Sequence, residues 1–359
     1  MTDSRPVRLM TPEEIAVNAG ARAAPLHTPD IGLFAERALR LRQLAEGHAM
    51  RDYLMFAAEL VQRQDGLLKQ PRVLKLPDET AINSAMVGGE PPLDAQRFPR
   101  DPVWREELRA LLAALAQATI PEPTRALVRQ WADADDDLLE KQATALLAGG
   151  GPGLDPAGAP LIAAALQVYW TRLVRQLQDR YEQGDRGQNV PPFWQIDDPT
   201  VCPCCGSRPV ASITRVAAEL SGQRFLACSL CGTQWHYVRI KCTHCQGTKG
   251  ISFQGLVGED GRKSEAVQAE CCETCGHYLK QVHMEKDLRV EPLADDLATL
   301  TLDLLVGELG LARRGFNPLL ILGEPEAAHD GRHAAHGAAA DTAPAVYQEG
   351  APPPDPGRH

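Results

Sequence analysis

Hydrophobic positions recur at helical spacing through the first half of the chain, and at strand spacing only beyond residue 200. Downstream of Asp30, the residues Ile31, Phe34, Ala38, Leu41 and Leu44 recur near helical spacing, with Arg37, Arg40 and Arg42 between them. The same periodicity predicts helices at about 49–68, 102–118, 123–147 and 158–183. Three helix starts pair a capping residue with proline: Thr11-Pro12, Asp101-Pro102 and Asp155-Pro156. The side-chain oxygen takes a free amide, and proline sits where no intrahelical N–H is needed. Five prolines and Gly88-Gly89 interrupt the pattern between residues 68 and 101, so that stretch reads as a long functional or mobile connection. Residues 149–153 read as an interhelical loop and 190–201, with Phe193 and Trp194, as a bridge. Strand-like runs follow at 210–214, 235–240, 250–253 and 278–283. Over 295–314, Leu297, Leu300, Leu304, Leu305 and Leu309 fall on one side of a helix expected to dock back on the rest. From Glu324 onward Ala, Gly, Pro and His dominate, with Tyr347 the one aromatic, so this tail is expected to be disordered.

These patterns predict an α+β multidomain protein. An all-helical N-terminal domain (1–190) precedes two small rubredoxin-like or zinc-ribbon units (196–241 and 242–292), a C-terminal helix (293–323) and the tail (324–359). Composition sharpens the division, because all ten cysteines lie between Cys202 and Cys275. Hydrophobic residues make up 44% of the chain, enough for a sizeable core, and the scarcity of aromatics at 5% fits the Ala- and Leu-rich helical half.

The cysteines form four C-x-x-C units: Cys202/Cys205, Cys228/Cys231, Cys242/Cys245 and Cys272/Cys275. Two intervening residues let both thiolates of a tight turn point at one ion, and two such turns joined by a hairpin complete a tetrahedron of sulfur. Paired in sequence order, the units are separated by 22 and by 26 residues, which suits a short hairpin in each case. Gly206, Gly232 and Gly276 follow three of the units, where the turn favours a left-handed residue. Such small ribbons cannot supply much core, so metal is expected to provide folding energy. Four sulfurs accept zinc or iron, and the ligand set does not choose. Cys204 and Cys271 are spare and read as bystanders. His236, His244, His277 and His283 read as surface or strand residues, with His244 the best reserve ligand.

No apolar stretch is long enough for a membrane span, and the polar start lacks a secretory core, so a cytoplasmic protein without membrane insertion is expected. In that compartment clustered cysteines read as metal ligands before disulfides. No nucleophile elbow, zincin or Walker motif occurs, and a four-thiolate site lacks the open position of a catalytic metal; no enzyme is expected. The acidic run Asp133, Asp135, Asp136 and Asp137 reads as a solvated helix face. A zinc-ribbon nucleic-acid-binding protein and a rubredoxin-like electron carrier are the alternatives. Against the first, residues 202–290 hold 11 Lys and Arg against 8 Asp and Glu, a formal +3. Two four-thiolate ions would add about −2 per site and leave no basic patch. The whole chain carries a formal −10, so no nucleic-acid partner is expected.

The cysteine segments resemble the FdhE family of formate dehydrogenase accessory proteins. The resemblance lies in Cys202-Pro-Cys-Cys-Gly-Ser-Arg-Pro-Val-Ala-Ser, Leu226-Ala-Cys-Ser-Leu-Cys-Gly-Thr-Gln-Trp, Val238-Arg-Ile-Lys-Cys-Thr-His-Cys and Ala269-Glu-Cys-Cys-Glu-Thr-Cys-Gly-His-Tyr-Leu-Lys. It is sharpest over 196–292 and extends more loosely to the helical half and to Pro292-Leu-Ala-Asp-Asp-Leu. The resemblance implies two rubredoxin-like units after a helical region. It also implies a cytoplasmic factor that binds the catalytic subunit of a respiratory formate dehydrogenase and is needed for its activity. The family's ligand cysteines map onto Cys202, Cys205, Cys228, Cys231, Cys242, Cys245, Cys272 and Cys275. Cys204, Cys271 and the long tail depart from its pattern.

Overall fold

A computed structural model describes residues 26–320, apart from 151–152, 184–191, 195, 217–221, 259, 260 and 262, together with the backbone of 345–348. The expected helix start at Thr11-Pro12 lies outside these residues.

After a two-residue strand β1 (Leu26–His27), seven helices follow: α1 (Leu33–Leu44), α2 (Arg51–Lys69), α3 (Glu79–Val87), α4 (Val103–Ala116), α5 (Glu122–Ala132), α6 (Asp136–Leu147) and α7 (Ala159–Gln183). α7 is buried on every side from Ala159 to Val174, as a helix apolar all round must be. The other helices bury narrower stripes, Phe34, Ala38 and Leu41 in α1 being an example, and α3 buries only Ile82. Asp101 accepts the amide of Val103 at 3.0 Å, and Asp155 those of Ala157 and Gly158 at 2.9 and 2.7 Å.

Two expectations for this half are corrected. The helix read over 123–147 is broken into α5 and α6, because Asp135 leaves helical conformation and its side chain caps Leu138 N at 2.7 Å. The acidic run is therefore a cap and first helical turn, where carboxylates face free amides. The connection read over 68–101 contains α3, started in the same way by Asp78 on Ala81 N at 2.8 Å. Short length and the flanking prolines hid its period.

The second half is one sheet built from β2 (Pro209–Arg215), β3 (Gln223–Cys228), β4 (Gln234–His236), β5 (Ile251–Val257), β6 (Lys263–Cys272), β7 (His277–His283), β8 (Ala312–Arg313) and β9 (Ala345–Gln348). The order is β1-β4-β3-β2-β7-β6-β5-β9, with β8 also on β7. β2 and β7 run parallel, Ser212 opposite Gln281, and join the two ribbons edge to edge. A buried ion pair of 2.9 Å between Arg224 and Glu270 also crosses between them. Neighbouring side chains point to opposite faces. Leu226 and Leu279 join the core of the N-terminal helices, while Phe225 and Tyr278 join a second core under the C-terminal segment. Phe193 and Trp194 of the bridge pack on the first core.

The expected single C-terminal helix is two, α8 (Pro292–Ala298) and α9 (Leu300–Glu308). Lys280 of β7 parts them: its ammonium donates to the carbonyls of Asp296 and Thr299 at 2.8 and 3.0 Å. It also meets Asp303 at 2.6 Å, and Arg313 bridges Asp296 and Asp303 at 2.6 Å each. A lysine only 2% exposed needs this many partners. The tail departs from the expectation of disorder at Ala345–Gln348, which pairs antiparallel with β5; the remainder of 324–359 lies outside the described residues. Among the described residues no helix is long and apolar enough to cross a membrane.

Candidate metal centres

Each C-x-x-C unit is a turn closed by its own backbone. In the first, Gly206 N donates to Cys202 O at 2.8 Å and Cys202 N to Ser207 O at 2.9 Å. The third repeats it, with Gln246 N on Cys242 O at 3.1 Å and Cys242 N on Gly247 O at 2.8 Å. The residue after the second cysteine is left-handed every time, at φ +73° for Gly206, +78° for Gly232, +69° for Gly276 and +59° for Gln246. Gln246 is the one non-glycine with positive φ among the described residues. A side chain there costs about 1 kcal/mol. Gln246→Gly should therefore raise the urea midpoint by about that energy divided by the slope, with the slope unchanged; a lower midpoint would contradict the strain.

The turns bring the eight cysteines together as two sets of four, Cys202, Cys205, Cys228, Cys231 and Cys242, Cys245, Cys272, Cys275, each with sulfurs within 4.8 Å of one another. In the first set Cys202–Cys231, Cys205–Cys228 and Cys205–Cys231 are 3.6, 3.5 and 3.6 Å apart. In the second, Cys242–Cys275 and Cys245–Cys272 are 3.6 and 3.8 Å apart. A tetrahedral ion with metal–sulfur bonds of about 2.3 Å requires sulfurs about 3.8 Å apart, whereas a disulfide requires about 2.05 Å. The donor set fits an ion, zinc or iron. Amides point at the sulfurs as well: Leu230 and Cys231 N at Cys228 Sγ, both 3.4 Å, and His244 N at Cys242 Sγ, 3.3 Å. Such bonds favour thiolate over thiol.

The sites differ in their surroundings. All four sulfurs of the first set are buried, and burial pushes the thiols of Cys202 and Cys228 up, while hydrogen bonds from the neighbouring cysteines draw Cys231 down. The helical half grips this site by its carbonyls. Leu93 N and Ala95 N donate to Cys204 O and Cys205 O at 3.0 and 2.9 Å, while Thr171 Oγ1 reaches Cys231 O at 3.2 Å and Gln167 reaches Ser229 O at 2.8 Å. Gly232 lies so close that a Cβ there would meet Leu33 at 2.5 Å.

In the second set Cys245 is exposed and Cys275 half-buried. The Gly247 amide draws the Cys245 thiol down, towards thiolate. His244 and His277 stack beside it with ring centroids 3.7 Å apart, and His277 Nδ1 lies 2.8 Å from Cys275 O. No histidine joins either cluster among the described residues. Cys204 is buried under Thr233, whose hydroxyl reaches it at 3.5 Å, and Cys271 is buried on the sheet face opposite its neighbour Cys272. Burial pushes Cys271 up to about 12. Neither belongs to a set of four. The carbonyl grip and the histidine stack have no signature in the sequence, since both rest on residues far apart in it.

Comparison with known proteins agrees over both halves. The family models described as FdhE, N-terminal; FdhE, central domain; and FdhE, C-terminal domain match residues 23–185, 201–239 and 240–320. The FdhE homolog of Pseudomonas aeruginosa is 39% identical over 314 residues, 86% of this chain and 96% of that protein. The FdhE protein of Escherichia coli is 37% identical over 305 residues, 84% of this chain and 93% of its own length. The crystal structure of the FdhE protein from Pseudomonas aeruginosa superposes with a TM-score of 0.69 at 37% identity, covering 83% of this chain and 99% of that one. With three family models spanning both the helical half and the cysteine ribbons, the chain belongs to the FdhE family.

Proposed function

We propose that this protein is a cytoplasmic accessory factor that binds the catalytic subunit of a respiratory formate dehydrogenase and is needed for that enzyme to become active. In this reading Cys202, Cys205, Cys228 and Cys231 hold one iron or zinc ion, and Cys242, Cys245, Cys272 and Cys275 hold a second. The observation that carries it is family membership running through 23–320 with both four-thiolate sets assembled. Four protein sulfurs leave an ion no open position, which favours a structural or recognition role over catalysis. Bound ions would supply charge compensation for the thiolates and a cross-link between each pair of turns.

A strain lacking its own accessory gene but carrying this one should regain formate dehydrogenase activity, and the protein should capture the catalytic subunit in pull-downs. Activity without association would overturn the binding role. Equal rescue by a gene lacking the codons for 202–275 would overturn the place given to the ribbons.

A further inference from the structure

Both outward edges of the six-stranded ribbon core are covered by a strand from outside the ribbons. Each ribbon follows one order of knuckle, strand, strand, knuckle, strand, and the two lie in tandem as β4-β3-β2 followed by β7-β6-β5. The first strand of each ribbon therefore presents an edge in the same position. In the first ribbon that edge belongs to β2, which accepts β7 through Ser212, Ile213 and Thr214. In the second ribbon it belongs to β5, and β9 takes it, with Gln254 opposite Gln348, Gly255 opposite Tyr347, Leu256 opposite Val346 and Val257 opposite Ala345. At the far end β1 covers β4 in the same manner.

β9 is foreign to the matched fold. The last family model ends at residue 320, and among the described residues before that point no strand pairs with the outer side of β5. β5 itself, Ile-Ser-Phe-Gln-Gly-Leu-Val, carries no charge and no proline, the usual guards of an open edge. β9 contributes Ala-Val-Tyr-Gln, a short strand-forming run holding the only aromatic beyond Glu324. Residues 345–348 belong to the same chain as this edge, so their pairing is intramolecular and four residues can hold where a free peptide of that length would not.

We propose that the outer edge of β5 is a strand-addition site, covered in cis by residues 345–348 and taken in trans by an extended, uncharged segment of the client polypeptide that displaces them. The partner's identity rests on the client-binding reading above. An incompletely folded enzyme exposes the extended backbone with unpaired N–H and C=O groups that such an edge requires.

The test compares the full chain with its V346P/Y347P variant, which removes two backbone donors from β9 and leaves 26–320 untouched. The probe is a fluorescent synthetic peptide of residues 343–350. The variant should bind it at least about tenfold more tightly than the parent chain. Hydrogen exchange over 251–257 should be faster in the variant and slow again when the peptide is added. Unchanged exchange, or no binding of the peptide by the variant, would overturn the site. The variant should also hold the isolated catalytic subunit more tightly than the parent. If the peptide behaves as expected and client affinity is unchanged, the trans occupant is overturned. If neither form holds the client, the proposed function fails while the peptide result still stands.

Discussion

Replacing Cys205 and Cys228 together with serine should loosen the N-terminal helices as well as the first ribbon, whereas replacing Cys245 and Cys272 should leave the helical signal intact. The first pair sits in the core that α1, α2, α4 and α7 share, and both side chains are essentially inaccessible. Each serine would leave a buried hydroxyl among sulfurs and aliphatic groups, which costs about 1–3 kcal/mol if it finds no partner. Loss of a structural ion removes more, on the order of 10 kcal/mol in small zinc units. The whole stability of a domain is about 5–15 kcal/mol, so the sum is comparable with all that one core supplies. The carbonyl contacts to Leu93, Ala95, Gln167 and Thr171 would lose their partners at the same time. At the second site Cys245 is exposed, and the nearby core is the smaller one under α9. Far-ultraviolet dichroism during thermal unfolding distinguishes the two variants. Equal helix loss in both, or in neither, would mean that the shared core does not couple the first site to the bundle.

What the sequence shows and what it hides follow from how local each determinant is. The C-x-x-C turns are local: spacing alone brings two sulfurs to one side, and the glycine after the second cysteine marks the left-handed residue at three of four turns. Gln246 takes the same conformation without that signal. The long helices were legible because their stripes repeat over several turns. α3 was not, since nine residues between prolines give too short a window. Thr299 ends α8 because a lysine from β7 claims two carbonyls, and no reading of 293–310 alone contains Lys280. β3 and β6 were missed in part because Gln223, Arg224, Gln268 and Glu270 break the apolar alternation, although the sheet buries Arg224 and Glu270 as a pair. The joining of β2 to β7 is likewise a contact between residues about seventy positions apart, which periodicity does not encode.

The inequality of the two sites should appear directly when the metals are removed. An ion leaves a four-thiolate site through stepwise replacement of its ligands, so the rate depends on how readily a competitor reaches one sulfur. At the second site Cys245 offers that entry in the folded state. At the first, every sulfur lies under the helical half, and a chelator must wait for the knuckles to part from Leu93, Ala95 and Thr171. Opening of that kind draws on the shared core and is correspondingly rare. A colorimetric chelator in excess should therefore release metal in two phases of similar amplitude, with rates separated by more than about tenfold. Native mass spectrometry between the phases should find one ion per chain. Alkylation of that species, followed by peptide mapping, should mark Cys242, Cys245, Cys272 and Cys275 while Cys202, Cys205, Cys228 and Cys231 stay protected. Cys271 should react slowly despite its position beside Cys272, because it lies in the second core, on the opposite face of β6. A single phase would mean that exposure of Cys245 does not govern exchange. Protection of the second set with loss of the first would reverse the order of stability read from burial.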